Sequence, residues 1–239
     1  LYYARLTQAM ITAMTAPMAQ GRLYEVDMRL RPSGNQGPVA TAINSFESYQ
    51  KTQAWVWEHL ALTRATVVAG PADLAADVDH IIAEVLQAPR EQAGVLGDVA
   101  EMRNRIATAK SAHGPWDAKI GAGRLQDIEL LAQAGALLSG QYAHAIPDGI
   151  KAACGRNILS QKDADALIKA YDLCWALQCA GRLLSAAPVQ TESLGQAGAQ
   201  FLARSLGHDA IDAAETQLNN QYAAADRIIT QALSGLGTP

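Results

Sequence analysis

The sequence predicts a mainly helical fold with a small strand-bearing segment near its N-terminal end. Three observations carry this. The 239 residues are 49% hydrophobic but only 5% aromatic, with 9 prolines and abundant alanine, a composition that favours helix and argues against a β-sandwich. From Pro71 onward the apolar residues recur with helical period. Strand-like patterning is confined to two short runs, residues 22–31 and 64–70.

The first twenty residues place Leu6, Met10, Ile11 and Met14 at helical spacing, and Pro17 ends the pattern. The period then changes. Between Arg22 and Arg31, the apolar Tyr24, Val26, Met28 and Leu30 alternate with Glu25, Asp27, Arg29 and Arg31, which predicts a strand with its charges on one face and its other face packed. The turn formers of Pro32-Ser-Gly-Asn-Gln-Gly-Pro38 follow it. A helix capped by Asn44 or Ser45 is expected next, with Phe46, Tyr49, Ala54, Trp57 and Ala61 on one stripe and Trp55, Glu58 and His59 on a second. Trp55 and Trp57 with Glu58-His59 could make a pocket wall, although large aromatics at such spacing are more often core. Arg64 to Gly70 reads as a second short strand.

Seven helices are predicted thereafter, over about 71–88, 90–110, 124–143, 148–156, 160–186, 193–206 and 209–233. The longest starts at a capping-box pattern, Ser160 to Asp163, and continues in a core stripe of Leu167, Tyr171, Cys174, Leu177 and Leu184. The pattern divides the chain into a strand-bearing piece, residues 1–70, and a helical domain, residues 71–239. Cys154, Cys174 and Cys179 match no zinc spacing and read as small core residues of a reducing cytoplasm. A formal net charge of -4 makes nonspecific nucleic-acid binding a poor expectation, and neither a membrane span nor a signal peptide is apparent. A start at Leu1-Tyr2-Tyr3, directly in a helical pattern, suggests a piece of a longer protein.

Two stretches carry chemistry. Asp27 lies two residues from Arg29 and four from Arg31, a set able to hold a divalent cation while guanidinium groups grip a polyphosphate; an ordinary strand with a solvated, self-paired charged face has the same spacing and is commoner. Lys119, followed by Gly121, Gly123 and a helix bearing Asp127 and Glu129, fits an anion site built from a lysine and helix N-terminal amides, although acids in a first turn also simply suit the helix dipole. No nucleophilic triad or metal-binding histidine pair is present.

The run from Tyr24 to Pro38, then Tyr49-Gln50, Ala54-Trp-Val-Trp-Glu-His59, Ala61-Leu-Thr-Arg64 and Val67-Val-Ala-Gly70, resembles the bacterial bifunctional glutamine synthetase adenylyltransferase/adenylyl-removing enzymes. Asp117-Ala-Lys-Ile-Gly-Ala-Gly-Arg-Leu-Gln-Asp-Ile-Glu129 resembles a later motif of the same family, with Arg124 where one glycine of a pair is expected. The wording of the loop and of the tryptophan helix is similar to the C-terminal, adenylylating half. The resemblance implies a helical bundle following the last part of a polymerase-β-like nucleotidyltransferase α/β core. It implies that Asp27 is the third carboxylate of a Mg²⁺ site, that Arg29, Arg31 and Lys119 contact nucleotide or phosphate, and that AMP passes from ATP to a tyrosine of glutamine synthetase. The PII signal protein is the implied regulatory partner. The Gly-Ser and Asp-x-Asp elements of that metal site do not precede Asp27 here, so this chain is expected to be inactive alone. Two other readings stay open: a noncatalytic helical interaction domain, and a related PII uridylyltransferase.

Overall fold

The computed structural model describes residues 1–235. Ten α-helices lie among them: α1 (Tyr2–Thr15), α2 (Ile43–Thr52), α3 (Val56–Leu62), α4 (Ala72–Gln87), α5 (Gln92–Ala109), α6 (Leu125–Leu138), α7 (Ile146–Gly155), α8 (Gln161–Leu184), α9 (Gln196–Ser205) and α10 (Ile211–Leu233). All seven helices expected after Pro71 are present, most of them shorter than their patterns. The start of α8 is as its sequence suggests, with the Asp163 amide donating to the Ser160 hydroxyl.

Both predicted strands are absent, and no sheet forms among the described residues; the ladder pairing there is a single bridge between Met18 and Gly21. A strand is stable only with a hydrogen-bonded neighbour, and among the described residues no ladder forms along 22–31, where the Tyr24 amide makes a lone bond to the Met14 carbonyl. The segment bends instead. The Arg29 amide turns back onto Asp27, and successive turns run from Met28 to Arg31 and from Arg31 to Gly34. Tyr24 and Leu30, expected on a packed face, are 63% and 61% exposed. The α/β part of the expected architecture is therefore not formed by residues 1–70.

Between α2 and α3 the single expected helix is broken at Gln53 to Trp55. The cap is neither Asn44 nor Ser45: α2 begins after Ala42, with no side-chain cap. The break turns Trp55 and Trp57 outward, 70% and 37% exposed, so the core position expected for these aromatics is not taken. Of the three cysteines only Cys174 is fully buried, and Cys179 is exposed.

Helices α3 to α7 surround one apolar cluster centred on Leu86, Val99, Ile128, Leu131 and Ile150. A second cluster joins Trp116, Leu125, Leu177, Leu202 and Leu218 under α9. Helices α8 and α10, with 24 and 23 residues and each about 35 Å long, contribute to both clusters and bind them into one body. The tightest crossing is α6 on α7, where a Cβ on Gly135 would lie 2.5 Å from the Gly149 carbonyl oxygen. Helix α1 buries no residue.

Candidate functional site

The charged residues of interest occupy two places. In the first, Asp27 and Arg29 form an exposed pair, with side chains 57% and 73% accessible. The Arg29 Nε donates to both oxygens of Asp27 at 2.9 Å, and this pairing holds the Asp27 carboxyl down to about 2. Arg31 turns the other way, donating to the carbonyls of Met28 (2.6 Å), Gly37 (3.0 Å) and Asn35 (3.3 Å), and so braces the loop from 31 to 37. No group of three His, Cys, Asp or Glu side chains able to hold a metal occurs among the described residues. Asp27 by itself, with both oxygens engaged by Arg29, does not make a Mg²⁺ site.

That loop is followed by a buried polar joint at α2 and α3. Tyr49 donates to Glu58 at 2.9 Å, and Glu58, 4% exposed, accepts from the amide of Trp55, which fixes the first turn of α3. His59 bridges the Gln50 carbonyl at 2.9 Å and Arg90 at 3.3 Å. Burial pushes its pKa down, and Arg90 adds to this against the Gln50 carbonyl. A neutral ring, Nε2 donating and Nδ1 accepting, satisfies both contacts. Glu58 and His59 thus join helices, while Trp55 and Trp57 line a groove of about 340 Å³ with Asp98, Met102 and Arg105 of α5.

The second place is the loop from His113 to Arg124 with the start of α6. Asp117 is 5% exposed and accepts from the amides of Lys119 (3.0 Å), Ile120 (3.0 Å) and His113 (3.2 Å) and from the His113 ring (3.3 Å). Burial alone would raise its pKa, but these donors outweigh burial and lower it. Arg124 donates to the carbonyls of Gly114 and Asp117 and lies 4.3 Å over the Tyr222 ring, while the Tyr222 hydroxyl donates to Pro115. Asp127 accepts from the Gly123 amide at 2.7 Å and takes Arg103 of α5 on both oxygens, and Arg103 also reaches Asp226 and Thr230 of α10. At Gly123 φ is +70°, and a Cβ there would lie 2.1 Å from the Tyr222 carbonyl oxygen, so only glycine lets the loop approach α10.

This geometry reassigns several residues. The amides of Leu125 and Gln126 at the start of α6 donate to Ala118 and Lys119 carbonyls, so the loop itself occupies them. Lys119 extends from that loop as an exposed side chain. Glu129, half-buried, has its carboxyl pushed up by burial, with the Arg64 and Lys119 charges acting in the other direction. The structure pairs Asp27 with Arg29, and no hydrogen bond or ion pair joins residues 27–31 to Lys119 among the described residues. Sequence reasoning missed Arg103 and Asp226 altogether; they carry no motif, and Arg103 meets Asp127 across 24 residues of chain and Asp226 across 123.

Two family models match the chain. Residues 1–81 match the one described as Glutamate-ammonia ligase adenylyltransferase, and residues 99–236, more than half of the chain, match the one described as GlnD PII-uridylyltransferase. A relative from Rhodopseudomonas palustris (strain BisB5), named as a bifunctional glutamine synthetase adenylyltransferase/adenylyl-removing enzyme, is 36% identical over 242 residues, covering 98% of this chain and hence both matched regions. The chain belongs to that adenylyltransferase family. Relatives of the same name from Agrobacterium fabrum and from Rhodopseudomonas palustris (strain TIE-1) are 51% identical over 57% and 43% identical over 70% of the chain. These adenylyltransferase relatives are much longer proteins, and the chain spans only 14% to 24% of their length. The helical part is thus a region that the adenylyltransferase family has in common with the family described as GlnD PII-uridylyltransferase.

Proposed function

We propose that the chain is part of a cytoplasmic adenylyltransferase that moves AMP from ATP to a tyrosine of glutamine synthetase, with the PII signal protein as regulatory partner and without nucleic-acid or membrane binding. The observation that carries this reading is the match of nearly the whole chain, 98% of it, to one relative of that name. Residues 1–70 belong to the end of the transferase core and residues 71–239 to the helical domain after it. Asp27 supplies one carboxylate of a Mg²⁺ site whose other ligands are not among these 239 residues. Arg29, already in bidentate contact with a carboxylate, has the planar fork that suits a phosphate equally well. Arg31 holds the loop beside it, and Lys119 is a further phosphate contact.

Because the helical part matches the model described as GlnD PII-uridylyltransferase, uridylylation of PII is the second reading. The first is preferred since the relative aligned across both regions carries the adenylyltransferase name. The test is Asp27→Asn in the full-length enzyme, assayed in both directions. Adenylylation should fall by about 10²-fold or more while adenylyl removal persists, because loss of a charge at the reacting centre acts on the transition state. Retained adenylylation with lost removal would assign the chain to the other half, and uridylylation of PII by the full-length protein would select the second reading.

A further inference from the structure

We propose that the groove between α3 and α5 is a docking site for an arginine side chain presented by a partner protein. Trp55 and Trp57 line it from α3 and its N-terminal cap, and Asp98, Glu101, Met102 and Arg105 line it from α5, with buried Leu60 between them. The aromatic wall stands on a fixed backbone. The Trp55 amide donates to Glu58 at 2.9 Å, its carbonyl accepts from the amides of Glu58 and His59, and Glu58 is itself buried and held by Tyr49. A buried carboxylate thus anchors the point from which a large apolar side chain extends into water. A tryptophan presented in this way loses little freedom on contact, and Trp and Arg are among the residues that carry most of the binding energy at protein interfaces.

The charges of the groove choose the occupant. Glu101 is paired with Arg105 one turn along α5, whereas Asp98 has neither a hydrogen bond nor an ion pair among the described residues. An apolar side chain laid across the indoles would cover Asp98 and leave its charge unpaired, and an anion would be repelled by it. A guanidinium satisfies both features together, stacking on an indole face while its N–H groups reach the carboxylate. Arginine is preferred to lysine because its planar head group stacks and is more weakly hydrated than an ammonium. The groove, about 340 Å³, is open enough for the whole side chain, and the net charge of -4 favours the approach of a basic surface. None of Asp27, Arg29, Arg31 and Lys119 lines the groove, so this site and the transferase reading can fail independently.

The experiment follows the indole N–H resonances of the 239-residue chain, assigned by single Trp→Phe replacements, during titration with N-acetyl-arginine amide at constant ionic strength. A parallel series uses the citrulline analogue, which keeps the shape and lacks the charge. Saturable shifts at Trp55 and Trp57 are expected with arginine, half-complete on the order of 10 mM, while Trp116 and Trp175, outside the groove, stay in place. Citrulline, and arginine with Asp98→Asn, a change at an exposed side chain, should each bind at least about fivefold more weakly. In the full-length enzyme a folded Met102→Cys variant should react with a maleimide as fast as it does in the 239-residue chain. Protection there would mean that the enzyme's own chain fills the groove, which overturns the assignment to a partner. No saturable shift up to about 50 mM, equal shifts with citrulline, or an undiminished response in folded Asp98→Asn also overturns the proposal.

Discussion

Asp27 with Arg29 and Asp127 with Arg103 are the same chemical pair in opposite surroundings. The first lies on a segment without a sheet to join, more than half exposed on both partners. The second is sealed between α5, α6 and α10, with Asp127 only 6% exposed and a backbone amide as its third donor. An ion pair in water contributes little to stability, while a buried pair that loses one partner leaves an uncompensated charge in a poor solvent. The comparison teaches that burial decides which of two like ion pairs the fold depends on.

The largest effect should come from breaking the buried pair. Asp127→Ala is expected to destabilise the chain by about 3 kcal/mol, at the low end for a buried pair because Arg103 retains Asp226 and Thr230. In the same urea denaturation series Asp27→Asn should leave the midpoint unchanged. Equal shifts for the two variants would sink the comparison. Next in size is Gly123→Ala, which places a methyl against the Tyr222 carbonyl in a left-handed conformation; about 2 kcal/mol is expected, and a thermal midpoint within error of the parent would mean that the loop can withdraw from α10.

The smallest effect sharpens the boundary between the regions. His59 has its pKa lowered in the fold, so the unfolded chain takes up the proton first as pH falls below its ordinary value of about 6.5. The stability it contributes is present above that value and lost on acidification through the range down to the folded pKa. Denaturation midpoints at pH 7.5 and 5.5 should therefore differ less in a His59→Gln variant than in the parent. An identical pH dependence in both would show that the joint of α2, α3 and Arg90 does not depend on a neutral ring.

Much of the helical part was legible in the sequence because its information is local. Helical period, glycine and proline breaks, and the Ser160 cap each act within a few residues, and the helices after Pro71 follow them. The same local reading failed at residues 22–31, where alternation describes a face but cannot supply the neighbouring strand. It also failed at Trp55 and Trp57, because the break at Gln53 turns the stripe outward.

By itself the sequence determined the helix-forming stretches, the family motifs and the acid and base types at Asp27, Arg29, Lys119 and Asp127. Only the tertiary structure decided which of them are free. Arg103, Asp127 and Asp226 meet across 123 residues, Trp116 and Arg182 come to one cavity from separate elements, and the amides before Asp127 are filled by the loop's own carbonyls. Periodicity reports the direction of a side chain from its own backbone, whereas availability depends on what the rest of the chain packs against it.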